Sequence, residues 1–94
     1  MNRLAVYLIG YDLKSGEDYT PLVTEIKAIA PGQWWHYLDS TWFVSTTLTA
    51  QEVTARLLPQ IDQAKDHLLV MEASRNKQGW LPQEAWDWLN QRLP

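Results

Sequence analysis

The feature that most constrains the fold is an apolar run near the start of the chain, which extends from Leu4 to Tyr11 and stops at Asp12. A near-continuous run that contains Val, Ile and Tyr is typical of a central strand buried on both faces. Such a strand requires neighbouring strands and covering helices, so the pattern predicts a sheet-containing domain. The run is too short for a signal-peptide core or a membrane span. We therefore expect a soluble, cytoplasmic protein with no membrane partner.

Periodicity and turn signals indicate the other elements. A first helix is expected over 21–30, followed by a hairpin with strands over 33–39 and 41–47. A capping box at Thr49 starts a second helix, which Pro59 ends or kinks. A fourth strand follows over 68–73, and Pro82 opens a last helix. This βαββαβ order with a C-terminal helix predicts an α+β fold of ferredoxin-like topology. The expected sheet is antiparallel, in strand order 4-1-3-2, with two helices on one face. We expect a single domain over 1–94, with the helical extension at about 81–93.

Composition limits the possible functions. The chain has 94 residues, a net charge of −3 and eight Lys and Arg residues that are scattered along it. Tight, non-specific binding of nucleic acid needs a concentrated positive surface, so a nucleic-acid partner is possible but weakly supported. The absence of cysteine excludes disulfides, thiolate metal sites and cysteine nucleophiles, and it is compatible with the cytoplasm.

Six Trp residues are unusual in a chain of this length: Trp34, Trp35, Trp42, Trp80, Trp86 and Trp88. Those of the hairpin could stack nucleic-acid bases on an exposed sheet, but such platforms normally carry positive charge. We therefore expect the six residues to be core residues and anchors of a dimer or partner interface. A domain this small is marginally stable alone, and dimerisation is an ordinary remedy.

The predicted topology brings several polar residues to one end of the sheet. They are Asp12, the turn residues Asp39, Ser40 and Thr41, and Asp66 and His67 before the fourth strand. Asp12 is the candidate catalytic carboxylate and ligand of Mg²⁺ or Mn²⁺, and a two-fold axis would pair it with its mate to activate a water. The alternative is that Asp12 accepts backbone N–H groups of a loop or of the first helix. The residues Tyr11, Asp39, Ser40 and Thr41 are candidates for substrate binding, although Asp and Ser also favour such turns for conformational reasons.

Two histidines stay without an assigned role. His36 lies among Trp and Tyr on the second strand, where a packed or interface histidine is commoner than a general base or a ligand. His67 precedes the fourth strand and is either a ligand or a solvated side chain.

The segment Tyr11-Asp12-Leu13 at a strand end, with Ser40-Thr41-Trp42-Phe43-Val44 on the third strand, resembles the CRISPR-associated Cas-two family. The resemblance covers roughly the first half of the chain. It implies a ferredoxin-like homodimer in which Asp12 is the metal ligand of a nuclease. That family usually carries arginines at the start of the first helix, where this chain has Asp18, Tyr19 and Thr20.

Small stand-alone bacterial proteins of the same superfamily, labelled SinR-like, are more similar. Their likeness rests on the segment from Trp34 to Trp42, on Gly79-Trp80-Leu81 and on Trp86-Asp87-Trp88-Leu89. Asp18-Tyr19 and Thr46-Thr47-Leu48 are similar, more weakly, to GhoS-type antitoxin ribonucleases. Two functions stay open: a metal-dependent endonuclease or endoribonuclease that uses paired Asp12, and a non-catalytic dimeric interaction module, antitoxin-like or defence-associated, that binds a protein partner.

Overall fold

The structure, a computed structural model, describes residues 3–14 and 18–93. Its elements in chain order are β1 (Ala5–Asp12), α1 (Thr20–Ile29), β2 (Trp34–Leu38), β3 (Thr41–Thr46), α2 (Ala50–Leu57), a short 3₁₀ helix (Leu58–Gln60), β4 (His67–Glu72) and α3 (Gln83–Arg92). The chain is therefore α+β, and the order of elements follows the sequence prediction. The predicted polar loop at Ser15, Gly16 and Glu17 lies outside the described residues.

The four strands form one antiparallel sheet in the order β2-β3-β1-β4. Read from the β4 edge, the same pairings run β4-β1-β3-β2, which are the neighbours that the sequence predicts. The apolar strand β1 is central, and it pairs with β3 on one side and with β4 on the other. Alternate residues of β1 from Ala5 to Tyr11 are buried on one face, whereas on the other face Leu8 and Gly10 are only partly covered and Asp12 is exposed. The predicted burial on both faces is therefore complete on one face only.

Local signals set the helix boundaries. The Thr49 side chain accepts a hydrogen bond from the Glu52 backbone N–H, and the Glu52 carboxylate accepts one from the Thr49 N–H, so the predicted capping box is present. Pro59 lies in the 3₁₀ helix that follows α2, as expected for a residue that cannot continue an α-helix. After α1 the chain turns at Gly32, whose φ of 71° is a left-handed conformation that favours glycine.

The main core lies between one face of the sheet and the helices α1 and α2. We call this face the helix face. Alternate residues of β1 point into it, and the helices contribute four side chains with no exposed surface: Leu22, Ile26, Val53 and Leu57. The core thus confirms the predicted packing of two helices on one face of the sheet.

The opposite face, which we call the second face, is only partly covered. Helix α3 packs over its hairpin half, where Ala85 and Leu89 are buried with Trp35 and contact Phe43. The segment 73–82, which we call the strap, has no helix or strand and joins β4 to α3. The C-terminal helix is thus a partial lid on the face that a two-helix arrangement leaves open.

The strand β2 departs from the strict alternation of side chains that a regular strand predicts. Strict alternation from Trp34 places Leu38 on the same face as His36, but the register of β2 with β3 shifts between Trp35 and Leu38. This irregularity inserts one residue into β2, because Trp35 pairs with Phe43 while Leu38 pairs with Thr41. Leu38 consequently lies on the second face with Trp35, where both line the same apolar pocket.

Candidate functional site

The strand ends meet as the topology predicts. The Tyr11 backbone N–H donates to the Ser40 carbonyl at 3.1 Å, and Asp12 lies opposite His67 in the β1–β4 register. The hairpin turn at Asp39 and the start of α1 lie at the same end, where Tyr11 and Tyr19 have ring centroids 5.9 Å apart. The polar residues that the sequence groups together are therefore neighbours in space.

A hydrogen-bond network centred on Tyr11 connects the ends of three strands. The Trp42 Nε1–H donates to Tyr11 Oη at 3.1 Å, and Tyr11 Oη donates to the Asp39 carbonyl at 3.4 Å. His36 Nε2 is 2.7 Å from the same carbonyl oxygen, and since a carbonyl can only accept, this nitrogen carries the proton. Burial raises the pKa of the Tyr11 phenol; the hydrogen bond from Trp42 opposes this, and nearby Tyr19 and Asp39 reinforce it. Tyr11 thus remains a neutral structural group.

The aromatic faces beside this network are already in contact with protein groups. His36 stacks on Trp42 with ring centroids 4.0 Å apart and an interplanar angle of 15°, and Trp34 lies 5.0 Å from Trp42. Lys27 Nζ lies 5.0 Å from the centre of the Trp34 ring. Base stacking requires free aromatic faces, so these hairpin Trp residues are poorly placed to act as a nucleic-acid platform.

The predicted site residues share one end of the sheet but not one pocket. A shallow pocket of about 370 Å³ is lined by Tyr11, Tyr19, Val23, His36, Asp39 and Ser40. Asp12 follows Tyr11 in β1 and therefore points to the second face, away from the helix-face position of Tyr11. Thr41 is half-buried in β3. The Asp12 carboxylate accordingly faces away from the pocket that Tyr11, Asp39 and Ser40 line, whereas Thr41, which pairs with Gly10, lies on the same face as Asp12.

Asp12 is exposed and lies opposite His67, which gives two potential metal ligands in one chain. Within residues 3–14 and 18–93, no group of three or more His, Asp or Glu side chains is placed to hold a metal ion. Magnesium usually takes one or two carboxylates and several waters, so a site at Asp12 would need ligands from a second copy or from a substrate.

Another aspartate binds the backbone directly after β1, at Lys14. Asp66 is 6 % exposed, and its two carboxylate oxygens accept the Lys14 N–H at 3.0 Å and the Asp62 N–H at 2.8 Å. Asp18 accepts the Thr20 N–H at 2.9 Å at the start of α1, and this bond lowers the pKa of the Asp18 carboxyl. The sequence places Asp66 at this end of the sheet but gives no sign that it, rather than Asp12, binds the loop backbone.

An apolar surface occupies the half of the second face that α3 leaves open. On β4, Leu69 is 55 % exposed and Met71 is 52 % exposed, and Met71 lies opposite Leu8 of β1. We call Leu8, Leu69 and Met71 the open patch. Beside it, Trp80 of the strap is 98 % exposed, the highest value among the large apolar residues that the structure describes.

An apolar pocket of about 530 Å³ lies between the open patch, the strap and α3. Its floor includes Leu8, Phe43 and Met71, and α3 contributes Trp86 and Leu89. Trp80 is at its rim. Sequence reasoning missed this pocket because it is formed by an irregular segment whose path no periodicity predicts.

The six Trp residues thus divide into three groups. Trp35 and Trp42 are core residues, with exposures of 4 % and 2 %. Trp34, Trp86 and Trp88 are half-buried. Trp80 alone is almost fully exposed.

Trp35 Nε1 is buried and has no hydrogen-bond acceptor in the described part of the chain, which costs about 1–3 kcal/mol.

No protein-family model and no curated protein matches this chain. None of the helices in the described ranges is long and apolar enough to cross a membrane.

Proposed function

We propose that this protein is a non-catalytic, homodimeric interaction module whose dimer forms through the second face of the sheet. The observation that carries the proposal is the open patch together with Trp80, because Leu69, Met71 and Trp80 are each more than half exposed on one side of the molecule. Contiguous exposed apolar surface that includes an aromatic residue is typical of protein interfaces. Such a module would belong to the antitoxin-like or defence-associated class, in which a dimer binds a protein partner.

Charge supports a protein-binding role over a nucleic-acid-binding one. The net charge is −3. Two of the cations are engaged within the chain, since Arg3 pairs with Glu72 at 2.9 Å and Arg56 with Glu25 at 2.7 Å. A phosphate backbone requires a cluster of free cations, whereas an apolar patch is suited to a protein surface.

We infer further that the fold is the ferredoxin-like one and that the chain is a relative of the Cas-two superfamily that acts in the cytoplasm. The strand pairings and the packing of α1 and α2 on one face support the fold. The position of Asp12 at the end of the central strand supports the relationship. A chain without cysteine has no need of an oxidising compartment.

The proposal is tested by measuring molar mass with light scattering during gel filtration across a range of protein concentrations. We expect wild type to be a dimer and the Leu69→Glu/Met71→Glu variant to be a monomer with unchanged circular dichroism. The matched control is Thr24→Glu/Gln51→Glu, which adds the same charge at exposed positions of α1 and α2 and should remain dimeric. A monomeric wild type, or equal dimerisation of the patch variant, would refute the proposed interface.

A second candidate, a nuclease that depends on Mg²⁺ or Mn²⁺, is favoured by one observation. Asp12 lies on the second face, at the end of the strand that contributes Leu8 to the open patch, so a dimer formed there carries both carboxylates on its interface side. The test is cleavage of labelled RNA and DNA with and without metal, comparing wild type with Asp12→Ala. Metal-dependent cleavage that is lost in Asp12→Ala, with the fold and the dimer intact, would establish catalysis. Equal cleavage by both proteins, or none, would exclude it.

A further inference from the structure

We propose that, in the homodimer, Trp80 of each chain inserts into the apolar pocket of the other chain. This inference rests on the proposed dimer and names the residue and the pocket that hold it together. Trp80 is 98 % exposed at the rim of a pocket of about 530 Å³. The chain therefore carries a protruding aromatic side chain and an unfilled apolar pocket side by side.

This arrangement is self-complementary. A two-fold axis that passes between a protruding side chain and an adjacent pocket brings each side chain to the pocket of the other copy, because both patches take part in an isologous interface. A pocket of several hundred Å³ with apolar walls is suited to an indole ring. Phe43, Met71 and Trp86 provide those walls.

The exchange would work together with the open patch. Two inserted Trp side chains bury about 300–500 Å² of their own surface, whereas a specific interface buries about 1,200–2,000 Å² in total. Contact between the two open patches and the pocket walls must supply the remainder. Trp80 would then be a central anchor surrounded by the less critical contacts of Leu69 and Met71.

The test compares dimer dissociation constants measured by analytical ultracentrifugation. Trp80→Ala should weaken the dimer about 30-fold or more, the level of an interface hot spot, and Trp80→Phe should weaken it less. The control is Tyr19→Ala, which removes an aromatic side chain that is 45 % exposed, lies beside Tyr11 at the start of α1 and does not line the pocket, and it should leave the constant unchanged. If Trp80→Ala dimerises as tightly as wild type, the exchange is wrong.

A complementation experiment tests insertion itself. Ala73 follows β4 and lines the pocket, so Ala73→Trp should fill the pocket from within the same chain. Each single variant should dimerise weakly, but their mixture should form a heterodimer in which Trp80 of the pocket-filled chain enters the intact pocket of the Trp80→Ala chain. No gain in association on mixing would overturn the proposal. Circular dichroism of each variant verifies that it is folded.

The two levels of the proposal fail separately. A wild type that is monomeric at every concentration overturns the proposed dimer and the exchange together. A dimer that Leu69→Glu/Met71→Glu disrupts while Trp80→Ala does not would retain the dimer and eliminate the exchange.

Discussion

At the scale of single residues, Tyr11 is the polar group on which the strand ends depend. Its hydroxyl accepts from the buried Trp42 indole and donates to the Asp39 carbonyl, so it satisfies one group on β3 and one in the hairpin turn. A short apolar run predicts that Tyr11 ends a buried strand. The partners of its hydroxyl depend on the irregular register of β2, which alternation alone does not reveal.

We predict that Tyr11→Phe lowers the free energy of unfolding by about 1–3 kcal/mol, because the Trp42 Nε1–H is left buried without an acceptor. Urea denaturation at neutral pH measures the loss. The control is Tyr19→Phe. Tyr19 is 45 % exposed, so its hydroxyl is accessible to water in wild type and its removal should cost little. Equal stability of Tyr11→Phe and wild type would contradict the role of the network.

The same residue predicts the alkaline limit of stability. Burial raises the pKa of Tyr11 above its unfolded value of about 10. A raised folded pKa means that the contribution to stability is complete below about pH 10 and is lost as pH rises through the folded pKa. Wild type should therefore lose stability above about pH 10 more steeply than Tyr11→Phe. Parallel profiles in urea melts at pH 8–11 would show that the phenol plays no part.

The aspartates show where sequence reasoning ends. Asp12 is conspicuous in the sequence because it follows an apolar run, but its side chain is exposed. Asp66, in contrast, is buried and accepts two backbone N–H groups. Asp66→Asn should cost about 1–3 kcal/mol, since one carboxylate oxygen becomes an amide donor that faces a backbone donor. Asp12→Asn serves as the control and should change the unfolding free energy by less than about 0.5 kcal/mol. A larger loss in Asp12→Asn than in Asp66→Asn would reverse this assignment.

At the scale of elements, the sequence predicts the order of strands and helices because each signal is local. The capping box at Thr49, the break at Pro59 and the helix start at Pro82 each act over a few residues, and each takes effect where expected. The placement of α3 on the second face was beyond such reasoning. It depends on the strap and on the extra residue in β2 that turns Leu38 toward the same face as Trp35.

Helix α3 is therefore a docked element whose contribution can be measured. Leu89 is 3 % exposed and packs in the cluster that contains Trp35. Leu89→Ala should cost about 2–5 kcal/mol, because it removes transfer free energy and leaves a cavity. Chemical denaturation followed by Trp fluorescence is the measurement, and Asn90→Ala, at an exposed neighbouring position, is the control. A loss below about 1 kcal/mol would mean that α3 is not firmly docked.

At the scale of the whole molecule, the two faces of the sheet have different roles. The helix face packs against α1 and α2 in the main core. The second face is partly covered by α3 and carries the apolar pocket and the open patch. The six Trp residues predict core and interface anchors. Only the structure distinguishes the buried Trp35 and Trp42 from the exposed Trp80. Composition cannot make that distinction, since all six residues have the same chemistry.

If two chains unfold together from a dimer, thermal stability must depend on protein concentration. A tenfold change in concentration is worth about 1.4 kcal/mol per dimer, or about 0.7 kcal/mol per chain. For a domain of this size about 1 kcal/mol shifts Tm by about 4–8 °C. Wild type should therefore gain about 3–6 °C in Tm for each tenfold increase, as measured by circular dichroism melts or calorimetry. Leu69→Glu/Met71→Glu should melt at one temperature throughout, because its folded state is a monomer. If the wild-type Tm is equally independent of protein concentration, the apolar second face does not mediate self-association. Its partner would then be a different protein.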